Sequence, residues 1–404
     1  MGKQSVGVIG AGLTGLTAAK ELSKKGYAVT VFEQLDTPGG RLRSEDLNGW
    51  TLDVGFQVLL TEYPYLKKHL TLDNLQLRHL DAAATIFREG KTSAVGDPFR
   101  TKNILWSTVF SDVGTFRDKW LIFKLKRFVG RKSIDALFAY ENSSTLKFLH
   151  RFGFSDHIIA QFFQPFFGGI FLERDLTTSA RMFLFVFKLF ASGGAAIPRE
   201  GIGAVGKEMM AQLPDVTFHF QTTITAIEGQ SVRTATGKNH EFDYLINTIP
   251  NYGKRSSNSA WQGCYCLYFE HPAPRKIDTP RIGLNASPNR LVNNIFYPSS
   301  IQENKLNSGT ELLSVTVVDG AGKDENSLIQ EVTKELAMDF GLTELTCIKV
   351  YAIPFALPIN HPPKNTVEFP TGTKTFEAGD FLLNGSQNAA CKVGEAVAQC
   401  IARS

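Results

Sequence analysis

The sequence predicts an α/β protein: a parallel sheet opened by the first residues of the chain, joined to an α+β second domain. Three observations predict it. The chain opens on an uninterrupted strand, glycine turn, helix, strand and acid. Strand-like runs of the same buried kind return over 216–248, and a glycine turn and helix pattern close the chain after Glu377. Between these pieces lie a helical block rich in Phe and a strand-rich block.

The opening unit is the most specific. Ser5-Val6-Gly7-Val8-Ile9 reads as a buried strand, and Gly10-Ala11-Gly12-Leu13-Thr14-Gly15 follows at once. Leu16, Ala19 and Leu22 then make a helical apolar stripe, which stops at Lys24-Lys25-Gly26. Tyr27–Phe32 reads as a second strand and Glu33 closes it. Each glycine has a job: Gly10 for the tight turn, Gly12 for close approach of a diphosphate, Gly15 for packing of helix on sheet. The helix start offers N–H groups and a positive dipole end to phosphate. Glu33 can accept from two ribose hydroxyls and would repel a 2′-phosphate, which disfavours NADP.

Gly39-Gly40-Arg41-Leu42-Arg43-Ser44 and Asp53-Val54-Gly55-Phe56-Gln57 come next. The two glycines permit close backbone approach, and Arg41 carries a planar donor fork. Taken together, these motifs resemble those of the FAD-dependent amine oxidase, protoporphyrinogen oxidase and phytoene desaturase superfamily. The likeness is nearest to its short, phytoene-dehydrogenase-like bacterial members. The resemblance implies a discontinuous Rossmann-type FAD-binding domain (1–61, 193–254 and 366–404) and a substrate domain (62–192 and 255–365). It implies FAD at Gly10, Gly12, Leu13, Thr14, Gly15, Glu33, Gln34, Gly40, Arg41, Leu42, Gly55, Phe56 and Gln57. It also places Ile224 at the adenine, Gly379 and Asp380 at the ribityl or pyrophosphate part, and Asn388 and Ala389 at a helix start beneath the flavin ring. Cys391 is near enough to raise a covalent flavin link, against the plainer reading of a buried thiol.

The remaining blocks read as follows. Residues 152–190 hold a dense run of Phe, interrupted by Gln164-Pro165 and by Gly168-Gly169, so one continuous membrane helix is excluded. Many of these rings must be core, and some suit an apolar pocket; Phe166 and Phe167 are the candidates, with Phe56, Gln57 and Tyr297, for substrate contact. Basic residues from Arg117 to Lys132 accompany Leu121, Leu125, Phe128 and Val129. That helix is either a solvated surface helix or a basic amphipathic one resting on an anionic membrane. Gly263–Phe269, Leu291–Tyr297 and Leu312–Val318 read as strands, Ser327–Phe340 as a helix and Pro-rich Ile353–Pro363 as a loop.

Composition limits the function. The formal charge of +4 over 404 residues argues against nucleic acid as the main partner. Five scattered cysteines fit reduced thiols, and their spacing supports no zinc site. No charged segment and apolar run precede the first strand, so the expected location is cytoplasmic, with peripheral contact to the inner face of a membrane through 117–132 as the added alternative. The expectation is an FAD-dependent oxidoreductase acting on an apolar polyene, isoprenoid or porphyrin-like molecule by hydride transfer to flavin N5. A flavin amine oxidase and a non-catalytic binder of prenyl or lipid groups are the rivals. No catalytic base is identifiable; His150, His157, His271 and His361 are candidates by residue type alone.

Overall fold

The computed structural model describes residues 2–96, 113–250, 261–272, 274–302, 309–318 and 323–404. Its central sheet has five parallel strands in the order Thr217–His219, Ala28–Phe32, Ser5–Ile9, Tyr244–Asn247 and Thr375–Glu377. The strands come from three distant segments, so the discontinuous Rossmann-type arrangement is present. The chain order reverses between Ser5–Ile9 and Tyr244–Asn247. In open α/β sheets, ligands bind outside the carboxyl ends of the strands at that reversal.

One side of this sheet carries the helices Leu13–Lys24, Ala204–Ala211 and Gln387–Ile401, which pack together. The first and last cross closely at Gly394, where a Cβ would stand 2.5 Å from the Thr14 carbonyl oxygen. A three-stranded antiparallel layer (Ile224–Glu228, Ser231–Thr234, Asn239–Glu241) covers the other side, with Ile9, Phe32, Val232 and Leu245 sealed between.

The second unit is a seven-stranded sheet, ordered Thr346–Pro358, Trp261–Pro272, Thr310–Val318, Val292–Phe296, Ile282–Asn285, Ala83–Arg88 and Lys91–Gly96. All pairs are antiparallel except Ile282–Asn285 with Ala83–Arg88. The helix Glu325–Phe340 closes one face through Leu328, Val332, Leu336 and Phe340. A helical cluster borders the other: Phe116–Gly130, Ile134–Phe138, Thr145–Phe152, the stretch from Asp156 to Phe171, and Ala180–Ser192.

Two readings need correction. The interruptions expected at Gln164-Pro165 and Gly168-Gly169 do not break the helix. A π-helical turn over Ile159–Phe163 leads into Gln164–Phe171, so the wider turn accommodates the missing Pro165 N–H. Gly168 and Gly169 let this helix lie hard on the sheet: a Cβ on Gly169 would be 2.6 Å from the Asn293 amide nitrogen. The Pro-rich loop also begins later than expected. Among the described residues, Thr346–Pro358 is a strand on the sheet edge, paired only with Trp261–Pro272, and an edge strand tolerates proline.

Candidate functional site

The carboxyl ends of the parallel strands converge on one cavity of about 1010 Å³. Its nucleotide end is built from glycine turns. Gly10 needs its positive φ of 98°, and a Cβ there would meet the Thr248 hydroxyl at 2.5 Å. Gly12 caps the helix Leu13–Lys24 without any side-chain cap, and a Cβ on it would meet nothing within 4 Å. The space beside the helix start is therefore open, while Gly12, Leu13 and Thr14 line it. Gly15 faces away and packs on the strand, where a Cβ would stand 2.0 Å from the Gly10 carbonyl oxygen. The second turn abuts the first: the Gly39 N–H donates to the Ala11 carbonyl at 2.8 Å, and a Cβ on Gly40 would be 3.2 Å from Gly12 Cα. Thus Gly39-Gly40 serves loop-on-loop contact as well as access.

Glu33 sits buried at the end of its strand and lines the same cavity. Its Oε2 accepts from Ala11 N–H at 2.7 Å and its Oε1 from Leu35 N–H at 3.0 Å. These bonds fix the carboxylate, and each oxygen keeps a further lone pair. Gln34 and Leu35 continue the wall.

Arg41 and Asp380 meet across the groove, Nη2 to Oδ1 at 2.6 Å, although 339 residues separate them. Arg41 also donates to the Ala356 carbonyl at 3.1 Å and lies 5.5 Å from the Trp261 ring. Leu42, Gly55, Phe56, Gln57 and Gly379 border this stretch. Gln57 is held by donation to the Arg41 carbonyl at 2.9 Å, and the Phe56 ring lies 5.1 Å from that of Phe296.

Beyond this point the wall turns apolar. Phe162, Phe166, Phe167, Met182, Val186 and Phe190 line it, with Phe162 stacked on Phe166 at 5.4 Å. The outer end reaches Lys119, Ile122, Phe123 and Lys126 on the helix Phe116–Gly130.

Four expected contacts lie elsewhere. Ile224 packs against the small core between the sheets and does not line the cavity. The helix Gln387–Ile401 is capped by Ser386, whose hydroxyl accepts the Ala389 N–H at 3.0 Å; Ala389 is buried away from the cavity. Asn388 is also buried, and its Oδ1 accepts from Tyr65 N–H at 2.9 Å. Tyr297 is 1% exposed, and its hydroxyl is 3.2 Å from His271 Nε2 in the core beneath Glu325–Phe340. Strand alternation explains it: Asn294 and Tyr297 differ by an odd number of residues, so they point to opposite faces.

Residues not anticipated include Thr248, Leu357, Ser386 and Gln387, all on the wall. Thr248 follows a strand of the parallel sheet, and the carboxyl-end rule could have found it. Among the described residues, Gln387 Oε1 is buried without a hydrogen-bond partner. An acceptor left bare here, an uncapped helix start and an open Gly12 together fit a dinucleotide. Cys391 is fully buried, off the cavity, and burial pushes its thiol up to about 12; it is a packed core thiol. Among the described residues, no histidine lines the cavity.

A family model for flavin containing amine oxidoreductases matches residues 13–259, more than half of the chain. The chain belongs to that family. Its cofactor is FAD, and the groove fits that group. Two similar relatives are desaturases. One stretch is 50% identical over 48 residues to a 1-hydroxycarotenoid 3,4-desaturase of Flavobacterium sp., covering 12% of this chain and 10% of that protein. Another is 40% identical over 60 residues to a 4,4'-diapophytoene desaturase of Staphylococcus haemolyticus, covering 15% of this chain and 12% of that protein. The matched stretches thus span about a tenth of each relative's length. The fold likeness extends over the whole chain: an oxidoreductase from Methanosarcina mazei aligns over 99% of this chain and 100% of its own, with a TM-score of 0.73 at 15% identity. Among the described residues, no helix is long and apolar enough to cross a membrane.

Proposed function

We propose that this protein uses FAD to oxidise, desaturate or isomerise an elongated apolar small molecule of the polyene, isoprenoid or porphyrin-like class. One observation carries the reading: the nucleotide groove opens directly into a Phe-walled hollow within a single cavity. The desaturase relatives are named for carotenoid-type substrates of this class, which supports it.

When bound, FAD supplies a two-electron acceptor. The chain's own residues hold and shield. Gly10, Gly12, Leu13 and Thr14 seat the diphosphate, and Glu33 accepts from the ribose. Gly40, Leu42, Gly379 and the Arg41–Asp380 pair complete the cradle. Gly55, Phe56 and Gln57 frame the passage, and Phe166 and Phe167 orient the substrate and exclude water. The units are assigned as 1–61, 193–254 and 366–404 for cofactor, and 62–192 and 255–365 for substrate.

Among the described residues, the only lysines on the cavity wall are Lys119 and Lys126, both on the helix Phe116–Gly130. An amine oxidase often needs a lysine near flavin N5, and these two sit at the outer end of the cavity, which speaks against the amine oxidase reading. Anaerobic bleaching of the bound flavin tests the choice. Polyene or isoprenoid substrates should bleach it and primary amines should not; bleaching by amines alone would overturn the proposal.

The helix Phe116–Gly130 is assigned to an anionic lipid surface. Phe116, Trp120 and Phe123 are 73%, 59% and 55% exposed, beside Arg117, Lys119, Lys124, Lys126 and Arg127. The helix's acid, Asp118, is buried in the capping box with Thr115. The aromatic side chains would enter the interface, and the basic ones would meet lipid phosphates. Phe123 also lines the cavity, so an apolar molecule would pass from lipid to site.

A further inference from the structure

The apolar part of the cavity carries a polar pair that the proposed reaction does not use. Asn294, on the strand Val292–Phe296, and Thr316, on Thr310–Val318, are directly opposite each other in register. Both line the cavity, and both are buried, at 2% and 5% exposure. Their neighbours on this wall include Ala84, Gly169, Cys264, Cys266 and Ile282, which offer no strong acceptor side chain.

The bonding within the pair leaves donors over. Asn294 Nδ2 donates one hydrogen to Thr316 Oγ1 at 3.2 Å. Asn294 Oδ1 accepts from Asn293 Nδ2 at 3.0 Å, and Asn293 also donates to the Pro165 carbonyl at 3.0 Å. Asn293 thus ties helix to sheet. The second Nδ2 hydrogen of Asn294 and the hydroxyl hydrogen of Thr316 have no acceptor among the described residues. The adjacent strand positions Ile295, Val315 and Val317 point the other way into the core beneath Glu325–Phe340. Strand alternation would accept Val at 316 on an apolar wall. Two donors without a protein acceptor on an apolar wall must be completed by whatever fills the cavity.

We infer that the substrate bears an oxygen acceptor, a hydroxyl or carbonyl on an otherwise apolar skeleton, and that Asn294 and Thr316 seat it. The inference rests on the apolar-substrate reading and adds the position of a polar end. Asn294 and Thr316 are specificity-determining residues that set which end of an elongated molecule enters and how far it reaches.

The test compares three polyenes of one skeleton: all-trans-retinol, all-trans-retinal and the hydrocarbon in which a methyl replaces the terminal oxygen function. Binding to the FAD-loaded protein is read by quenching of protein fluorescence in detergent solution. Retinol and retinal should bind about tenfold more tightly than the hydrocarbon, the effect of one net hydrogen bond. Thr316→Val should reduce that preference to about threefold or less while leaving flavin content unchanged, and Thr316→Ser should retain it. Equal binding of all three by the unaltered protein, or a preference that survives Thr316→Val, overturns the inference alone. Binding of none, with flavin in place, overturns the apolar-substrate reading and the inference with it.

Discussion

Glu33 shows how a binding residue is also a structural one. Its carboxylate accepts two backbone N–H groups that have no other means of satisfaction at this strand end. Glu33→Ala should therefore do two things: weaken FAD retention and lower the stability of the flavin-free protein by about 1–3 kcal/mol per abandoned N–H. Glu33→Gln is milder: its amide oxygen still accepts one N–H, but its NH2 is a donor and faces the other, so one of the two bonds is lost along with the charge. Flavin affinity should fall about tenfold or more in Glu33→Gln, and the flavin-free stability should fall by roughly half as much as in Glu33→Ala. Unchanged flavin affinity in both variants would remove Glu33 from the ribose. Asp53 offers a second test. Burial raises its pKa to about 6, opposed by bonds to its Oδ1 from the Ser44 hydroxyl (2.6 Å) and the Ile202 N–H (2.9 Å). The folded state thus holds this proton more tightly than the unfolded chain, where a carboxyl titrates near ~3.9. Asp53's contribution is complete below that unfolded value and is lost as pH rises through the folded one. Asp53→Asn cannot ionise, so its stability relative to the unaltered protein should improve by about 2–3 kcal/mol between pH ~4 and pH ~7. Denaturant unfolding at the two pH values measures this, and a pH-independent difference would contradict it.

At the scale of elements, the helix Phe116–Gly130 has two contrasting faces. Leu121, Leu125 and Val129 are buried inward, while Phe116, Trp120 and Phe123 are left exposed. Lys119 and Lys124 lie over two of those rings, at 5.4 and 5.5 Å. Replacing the three exposed aromatics by Ser should lower binding to mixed phosphatidylcholine–phosphatidylglycerol vesicles by at least about tenfold, because each ring carries on the order of 1.5–3 kcal/mol of burial. Raised salt should weaken what remains. Co-sedimentation that is the same for both proteins would refute the lipid contact. The amphipathic stripe of this helix was legible in sequence, since Leu121, Leu125 and Val129 recur at helical spacing. Which of its exposed side chains border a cavity was not, because that depends on elements far away in the chain. The stretch from Asp156 to Phe171 gives the opposite lesson. Pro165 and the Gly168-Gly169 pair looked like interruptions, and the packing of helix on sheet turned the glycines into contact points and the proline into a π-turn.

The whole molecule closes its cofactor groove from three separated stretches of chain, with Arg41 and Asp380 paired across it. FAD that binds only this assembled form must stabilise all three at once. Thermal unfolding of flavin-stripped protein should therefore occur at lower temperature than that of the loaded form. The midpoint should rise by several degrees as FAD is added, as expected for about 4 kcal/mol at a thousandfold excess over Kd. A midpoint indifferent to FAD would mean that the groove is not the binding site. The return of the chain to the same sheet was implied by family resemblance; the residues alone carried the strand–turn–helix–strand unit, the acid at its end and the Phe-rich helical block. These are local signals, carried by side-chain periodicity and by backbone conformations that only certain residues favour. Tertiary structure alone decided that Tyr297 faces a core and Asn294 a cavity, that Ser386 caps the last helix ahead of Ala389, and that Arg41 meets Asp380. Those outcomes depend on strand register, helix placement and long-range closure, and a linear pattern holds no record of which distant face a side chain will meet.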